Sequence, residues 1–419
     1  MEKSKKISLL ALSSIPLIMT LGNSMLIPIL PSMGQQLKVS SFQISLVITV
    51  YSVVAIFLIP VAGFLSDRYG RVKIIIPSLV LTGLGGLLSA IASTWFSQAY
   101  MWILVGRFIQ GIGAAGSSPI VLPLIGDMFK KETEVSEGLG IIETANTFGK
   151  VLSPLMGSLL ALIAWFIPFW AIPVLCLGSI LMVSFMVKVP KKNSSSAPPK
   201  ARAYIKQVKA LFHEKGRWLY AIFAIGGICM FIVFGALFYL SQVSEDKYGI
   251  HGLWKGVILA IPTAALCIAS FVTGKLIGNK KPRMKWFNFF GMLIVSVMML
   301  VIAWFGGKTV VMDVLYISIG AFGIGISLPC LDALIVEGIE KEVRGTVTSF
   351  YSSVRFIGVA AGPPVASVML LPTAAPFYYL VAGLGGASVL LSLFGIKPKQ
   401  QDNKKQDNKK QDKKQSDSE

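Results

Sequence analysis

The sequence predicts an all-α membrane protein with twelve transmembrane helices in two pseudo-symmetric six-helix bundles. Three observations predict it. Of 419 residues, 54% are hydrophobic and only 14% are charged, whereas a water-soluble domain carries about 25% charged residues. Twelve apolar runs are each long enough to cross about 30 Å of hydrocarbon, which takes about 20 helical residues. A Gly/Pro pattern occurs at matching places in the two halves of the chain.

The mean hydropathy is +0.70. So few polar residues cannot coat a water-soluble core of this size, and disordered chains are poor in apolar residues. The runs lie at about 8–30, 42–65, 74–94, 99–122, 138–161, 166–188, 218–240, 254–278, 286–306, 309–331, 345–371 and 375–395. Membrane-crossing strands need short alternating segments closed into a barrel, so these runs are helices.

Orientation follows from the basic residues between the spans. With a cytoplasmic N-terminus, the inside collects Lys3, Lys5, Lys6, Arg68, Arg71, Lys73, Lys130 and Lys131. It also takes the Lys188–Arg217 connector, Lys275–Lys285, Lys341, Arg344 and the basic tail. The outside keeps Lys38, Lys247, Lys255 and Lys308. Both termini are therefore expected in the cytoplasm of a multi-pass protein of the plasma (inner) membrane. The net charge of +19 becomes a topology signal plus attraction to anionic membrane lipids, with no nucleic-acid partner. Met1–Lys6 is charged and leads into a full span with no small-residue cleavage pattern before Gln35, so the first helix is expected to act as its own insertion signal.

The chain divides into an N-terminal six-helix bundle (1–189), a cytoplasmic connector (190–217), a C-terminal bundle (218–396) and a disordered charged tail (397–419). The connector opens with Pro, Lys, Asn and Ser, a linker composition, and Tyr204–His213 predicts a short basic amphipathic helix on the membrane surface. The tail repeats Gln-Asp-Asn-Lys-Lys and cannot bury a core. Cys176, Cys229, Cys267 and Cys330 all sit in apolar runs without C-x-x-C spacing and read as buried hydrophobes. His213 and His251 are far apart. No metal site and no cofactor are expected.

The repeat pairs Gly149-x-x-x-Ser153-Pro154 of the fifth span with Gly358-x-x-x-Gly362-Pro363 of the eleventh. The offsets agree, 358 − 149 = 209 and 362 − 153 = 209. Repeated halves around a site near the bilayer midplane are the usual plan of secondary transporters.

Three motifs fall on this frame. The loop between spans two and three reads Gly63-Phe-Leu-Ser-Asp67-Arg68-Tyr-Gly70-Arg71-Val-Lys73, with Asp67 and Arg71 four apart. Span four reads Arg107-Phe-Ile-Gln110-Gly111-Ile-Gly113-Ala-Ala115, placing an arginine in the membrane among small residues that permit close helix contact. Span five carries Gly140, Gly149, Ser153, Pro154 and Gly157, a kinked and closely packed pattern.

Together these resemble the major facilitator superfamily, in particular its twelve-span drug/proton antiporter branch. The first motif is similar to the family's loop signature, the second to its span-four motif, and the third to its antiporter motif, with Ser153 where glycine is usual. Asn23–Pro31 is similar to the family's span-one ending. The resemblance covers about residues 8–395. It implies alternating access by two bundles around a central cavity, a small-molecule substrate, coupling to protons, and a functional monomer. It also implies that Asp67 and Arg71 gate the inner face by holding the bundles together, rather than merely shaping a turn.

Ionisable residues inside a membrane are functional candidates. Arg107, Glu143, Lys150 and Arg355 sit well within spans. Glu143 and Lys150, seven apart, share one helix face about 10 Å apart along the axis, with Asn146 between them. Glu143 is expected to be the one deep carboxylate and the proton carrier, with Arg107 modulating it. Asp127, Asp332 and Glu337 are expected near the inner ends and Asp313 near the outer end. Asn23, Asn146, Lys150 and Arg355 are expected to line the substrate cavity. Arg107 has a structural alternative, as a packing anchor on Asn23 or Ser24. Three cations against one carboxylate disfavour a cationic cargo.

The expected function is proton-coupled export of amphiphilic small molecules, neutral, zwitterionic or anionic. The alternative is a dedicated exporter of an endogenous metabolite such as a catechol-type siderophore. Uptake by proton symport is the rival within transporters. Enzymatic activity is not expected, since G-x-S-x-G, H-E-x-x-H and clustered metal ligands are lacking. ATP-driven pumping is not expected either, because Gly307-Lys308-Thr309 has Ile302 where a phosphate loop needs its first glycine.

Overall fold

The computed structural model describes residues 3–129, 132–187, 201–277, 281–305, 308–339, 341–369 and 375–396. The expected tail, Lys130, Lys131 and the first part of the connector lie outside the described residues. Every span is helical, and two are broken. The first consists of α1 (Lys3–Ser24), a 3-10 turn (Ile27–Ile29) and α2 (Leu30–Leu37). Pro28 and Pro31 stand just after the breaks, where a missing N–H costs least. The fourth consists of α5 (Ala99–Ala115) and α6 (Ser118–Met128), interrupted at Gly116 and Ser117 and restarted with a proline in the first turn. The others are α3 (Ser41–Tyr69), α4 (Arg71–Trp95), α7 (Glu132–Ala161), α8 (Ile167–Met186), α9 (Ala201–Asp246), α10 (Gly252–Ile277), α11 (Lys281–Phe305), α12 (Val310–Gly338), α13 (Lys341–Met369) and α14 (Ala375–Leu390). A π-helical segment, Leu391–Gly395, ends the last span.

Local chemistry sets the boundaries. Ser40 and Gln43 form a capping box that starts α3. Gly70, with φ of 107°, makes the tight turn from α3 into α4, a conformation that a Cβ would strain. In place of the separate helix expected over 204–213, the backbone is helical without a break from Ala201 through Asp246, so that segment continues directly into the seventh span.

The two halves pack alike. In the first, α7 lies on α1, α5 on α4 and α3, and α8 on α4. In the second, α13 lies on α9, α12 on α11 and α10, and α14 on α11. Each contact maps onto its partner by advancing six spans. The bundles meet where α3 packs on α13 and α7 packs on α10, and this pair of contacts is also related by the pseudo-symmetry.

The repeat supplies the closest packing. A Cβ at Gly149 would sit 3.2 Å from the Leu17 carbonyl, and one at Gly157 would strike the Met25 carbonyl. Its counterparts on α13 do the same to α9: Gly358 approaches the Gly227 carbonyl, and a Cβ at Gly362 would lie 2.7 Å from the Phe231 carbonyl. Small residues let backbones touch where lipid gives helices no hydrophobic reason to associate.

Among the described residues, ten segments are long and apolar enough to span by composition alone. The two spans that fall short are α7 and α13, the fifth of each half. They carry Glu143, Asn146, Lys150 and Arg355, and both lie at the seam between bundles.

Candidate transport chamber and gates

Arg107 is fully buried within the N-terminal bundle. Its Nε donates to the Val47 carbonyl at 2.8 Å, and its Nη1 donates to Gln110 Oε1 at 2.6 Å and, weakly, to the Gly22 carbonyl. Its Nη2 donates to Asn23 Oδ1, and the Tyr51 ring lies 4.4 Å away. One guanidinium thus ties α5 to α1 and α3 with its donors spread over carbonyl and amide acceptors, which meets the cost of burying the charge. Asn23 is engaged by this arginine and is itself buried. The structure does not bring Arg107 or Asn23 to Glu143.

Glu143, Asn146 and Lys150 do share a face of α7, and each is partly accessible. Asn146 Nδ2 donates to Glu143 Oε1 at 3.2 Å, and Thr20 of α1 donates to Asn146 Oδ1 at 2.7 Å. The asparagine, with both ends occupied, holds the Glu143 carboxylate in place. From the other bundle, Arg355 Nη1 lies 3.5 Å from Asp332 Oδ1. Lys150 interacts electrostatically with Glu143, Arg355, Asp332 and Cys267. Charged groups of α7 from one half and of α12 and α13 from the other therefore lie within electrostatic range of one another at the seam.

Asp332 adds to the set expected from sequence. It lies near the end of α12 and joins Glu143 at the seam as a second carboxylate. With Arg107 withdrawn and Asp332 added, the chamber holds Lys150 and Arg355 against Glu143 and Asp332 among the described residues. Its formal charge is balanced, so the argument from three cations against one acid does not hold. The signal for Asp332 in the sequence is its place on α12, six residues before the helix ends. That place gives depth, but not the direction the side chain takes.

Aromatic residues near the seam mostly pack helices. Tyr239 stacks edge-on against Tyr378 at 5.0 Å, Phe231 lies 6.5 Å from Phe377, Tyr351 lies 5.8 Å from Phe223, and Phe356 lies 6.3 Å from Tyr51. Phe148 is largely exposed on the outside of α7.

At the face bearing the termini, Arg71 Nη2 lies 2.6 Å from Asp67 across the Gly70 turn. Its Nε lies 3.1 Å from Asp127 at the end of α6, and its Nη1 donates to Ser66 at 2.9 Å. Asp127 completes this cluster, and the described partners of Arg71 all belong to the N-terminal bundle, so Arg71 braces α3, α4 and α6 there and not one bundle against the other. Arg68 points to the Tyr69 ring instead. Gly63 marks where α3 meets the other bundle, since a Cβ there would sit 2.9 Å from Ser349 Oγ of α13. On α7, Ser153 is buried and donates to the Gly149 carbonyl at 2.6 Å, leaving the small-residue face toward α1 intact. Pro154 lies inside the same helix.

The opposite face holds a pair that the sequence did not suggest. Lys255, expected in an outer loop, is buried on α10 with its Nζ 2.6 Å from Glu245 Oε2 of α9.

Two related bundles with polar groups gathered at the seam between them define a membrane transporter. The chain belongs to the Major Facilitator Superfamily, whose profile matches residues 12–363. It is 51% identical over 398 residues to the bacillibactin exporter of Bacillus subtilis, covering 95% of this chain and 98% of that protein. It is 26% identical to the multidrug efflux protein YfmO of the same organism, covering 87% and 86% of the two chains. Among solved structures, the fold matches a D-xylose–proton symporter with a TM-score of 0.79 at 13% identity, covering 94% of this chain and 98% of that one. It matches a human organic anion transporter with a TM-score of 0.72 at 18% identity, covering 94% and 100%.

Proposed function

We propose that the protein exports a catechol-type siderophore related to the one its Bacillus subtilis relative is named for, in exchange for protons. The observation that supports this most directly is that Lys150 and Arg355, one from each bundle, are both partly accessible and within electrostatic range of each other. An anionic cargo that bridges them touches both halves at once, as alternating access requires. Identity of 51% over nearly the full length of the relative favours that cargo over the broader multidrug reading, which rests on 26%.

The terminal face is the cytoplasmic one, on the strength of the basic residues that collect there. Cargo enters from that side, which closes where α3 meets α13 at Gly63 and Ser349, with the Asp67–Arg71–Asp127 cluster bracing α3, α4 and α6 beside it. Arg107 is a positioning residue that holds α1, α3 and α5 together. Glu143 and Asp332 both carry protons. An anionic oxygen of the cargo takes Arg355 from Asp332, while a catechol hydroxyl donates to the ionised Glu143 carboxylate. The cargo holds Glu143 only while that carboxylate carries no proton. Cargo and proton thus compete at Glu143, which is the coupling an antiporter needs.

The test is siderophore accumulation in the medium of wild-type, deletion and complemented cells under iron limitation. Retention of the catecholate inside the deletion strain and its release on complementation support the reading. Unchanged secretion overturns it. Everted vesicles decide direction: added siderophore should dissipate an interior-acid gradient if the protein exports by antiport, and uptake symport would give no such discharge.

A further inference from the structure

Ser32, at the opposite face, belongs to the N-terminal bundle, while Glu245 and Lys255 belong to the C-terminal one. Ser32 Oγ lies 3.1 Å from both Glu245 oxygens, and Glu245 lies 2.6 Å from Lys255 Nζ. Glu245 and Lys255 are 6% and 2% exposed. Two more bonds cross between the bundles within one turn of α9: Ser241 donates to the Ile27 carbonyl and Gln242 Nε2 donates to Ser41 Oγ, each at 2.9 Å. His251 stands at the rim, with Nδ1 4.0 Å from Glu245 and its ring mostly exposed. Asp246 and Lys255 complete the charged surroundings of Glu245.

We propose that Ser32, Glu245 and Lys255 form the gate on this face, and that the buried Glu245–Lys255 pair sets how readily it opens during transport. Both ions sit on one bundle, so they stay together when the bundles part. What changes is their hydration. In the closed seam they are held out of water, which is costly even for a well-made pair. When the seam opens, water reaches them. Burial of the pair therefore works against closure, while the bonds from Ser32, Ser241 and Gln242 work for it. Such opposition keeps the two states close in free energy, as a cycling transporter requires. An apolar seam would stay shut.

This inference does not depend on the cargo. It predicts opposite effects for two changes. Spin labels at Gln36→Cys and Val311→Cys, exposed positions on this face in the two bundles, report its opening by double electron–electron resonance in nanodiscs. Ser32→Ala removes a bond across the seam and keeps the pair. It should raise the ratio of open to closed protein about fivefold, the equivalent of one ordinary hydrogen bond. Glu245→Met with Lys255→Met removes the desolvation burden and should move the distances toward the short, closed population. Each protein is first shown to be monodisperse. Ser32→Ala is mild enough to fold, so its outcome alone can refute the gate. No shift in Ser32→Ala, or movement of both variants in the same direction, overturns the proposal.

Discussion

The Asp332 carboxylate of α12 lies 3.5 Å from the Arg355 guanidinium of α13, and both side chains remain partly open to solvent, at 32% and 18%. The contact is longer than a well-made charge-assisted bond. It is a pair that an incoming anion can separate.

Asp332→Asn should therefore release Arg355 for cargo while removing a proton carrier. Siderophore binding to the purified protein should tighten by roughly threefold to tenfold, the scale of one lost competing charged contact. Proton-driven transport in liposomes should fall at the same time. Weaker binding in this variant would show that Asp332 assists cargo instead of competing with it.

Glu143→Gln should leave the fold intact, since the amide keeps the shape that Asn146 and Thr147 hold. Transport driven by a proton gradient should drop below about a tenth of wild type, while exchange of cargo down its own gradient persists. General acid–base groups typically contribute about 100-fold or more to the steps they serve. Full gradient-driven activity would refute the role.

Arg107→Ala should be a folding defect first. It leaves Gln110, Asn23 and two main-chain carbonyls without their donor inside a bundle. We expect a loss of about 3 kcal/mol or more, read as a lower thermal midpoint in detergent. Arg107→Lys should recover part of it at most, because an ammonium cannot spread its donors as a planar guanidinium does.

Arg71→Gln should separate gating from stability. Its partners Asp67 and Asp127 are 37% and 44% exposed, and such pairs contribute about 0–1 kcal/mol. The thermal midpoint should hardly move, while turnover falls severalfold. Equal turnover would reduce the cluster to a turn-forming device.

Gly157→Ala and Gly358→Ala should each destabilise by about 1–3 kcal/mol, because the added methyl meets a facing main-chain carbonyl. Gly178→Ala, which meets nothing within 4 Å, is the control and should be neutral. Thermal unfolding of the three proteins in the same detergent checks the contrast.

By itself the sequence determined the number of spans, their helical form, the pairing of the two halves and the places where small residues let helices touch. These are local properties: an apolar run of sufficient length must become a helix in lipid, and a glycine every fourth residue is a groove wherever its helix packs. Tertiary structure alone decided which polar groups meet. Arg107 finds Asn23 and Val47, 84 and 60 residues away, so it is spent on holding a bundle. Arg71 finds Asp127 at a separation of 56, and Ser32 finds Glu245 at 213. Asp332 meets Arg355 only because α12, packed on α10 and α11, comes beside α13 at that level. Rotation and tilt arise from packing between distant segments, and no pattern along a single helix encodes the orientation of its neighbour.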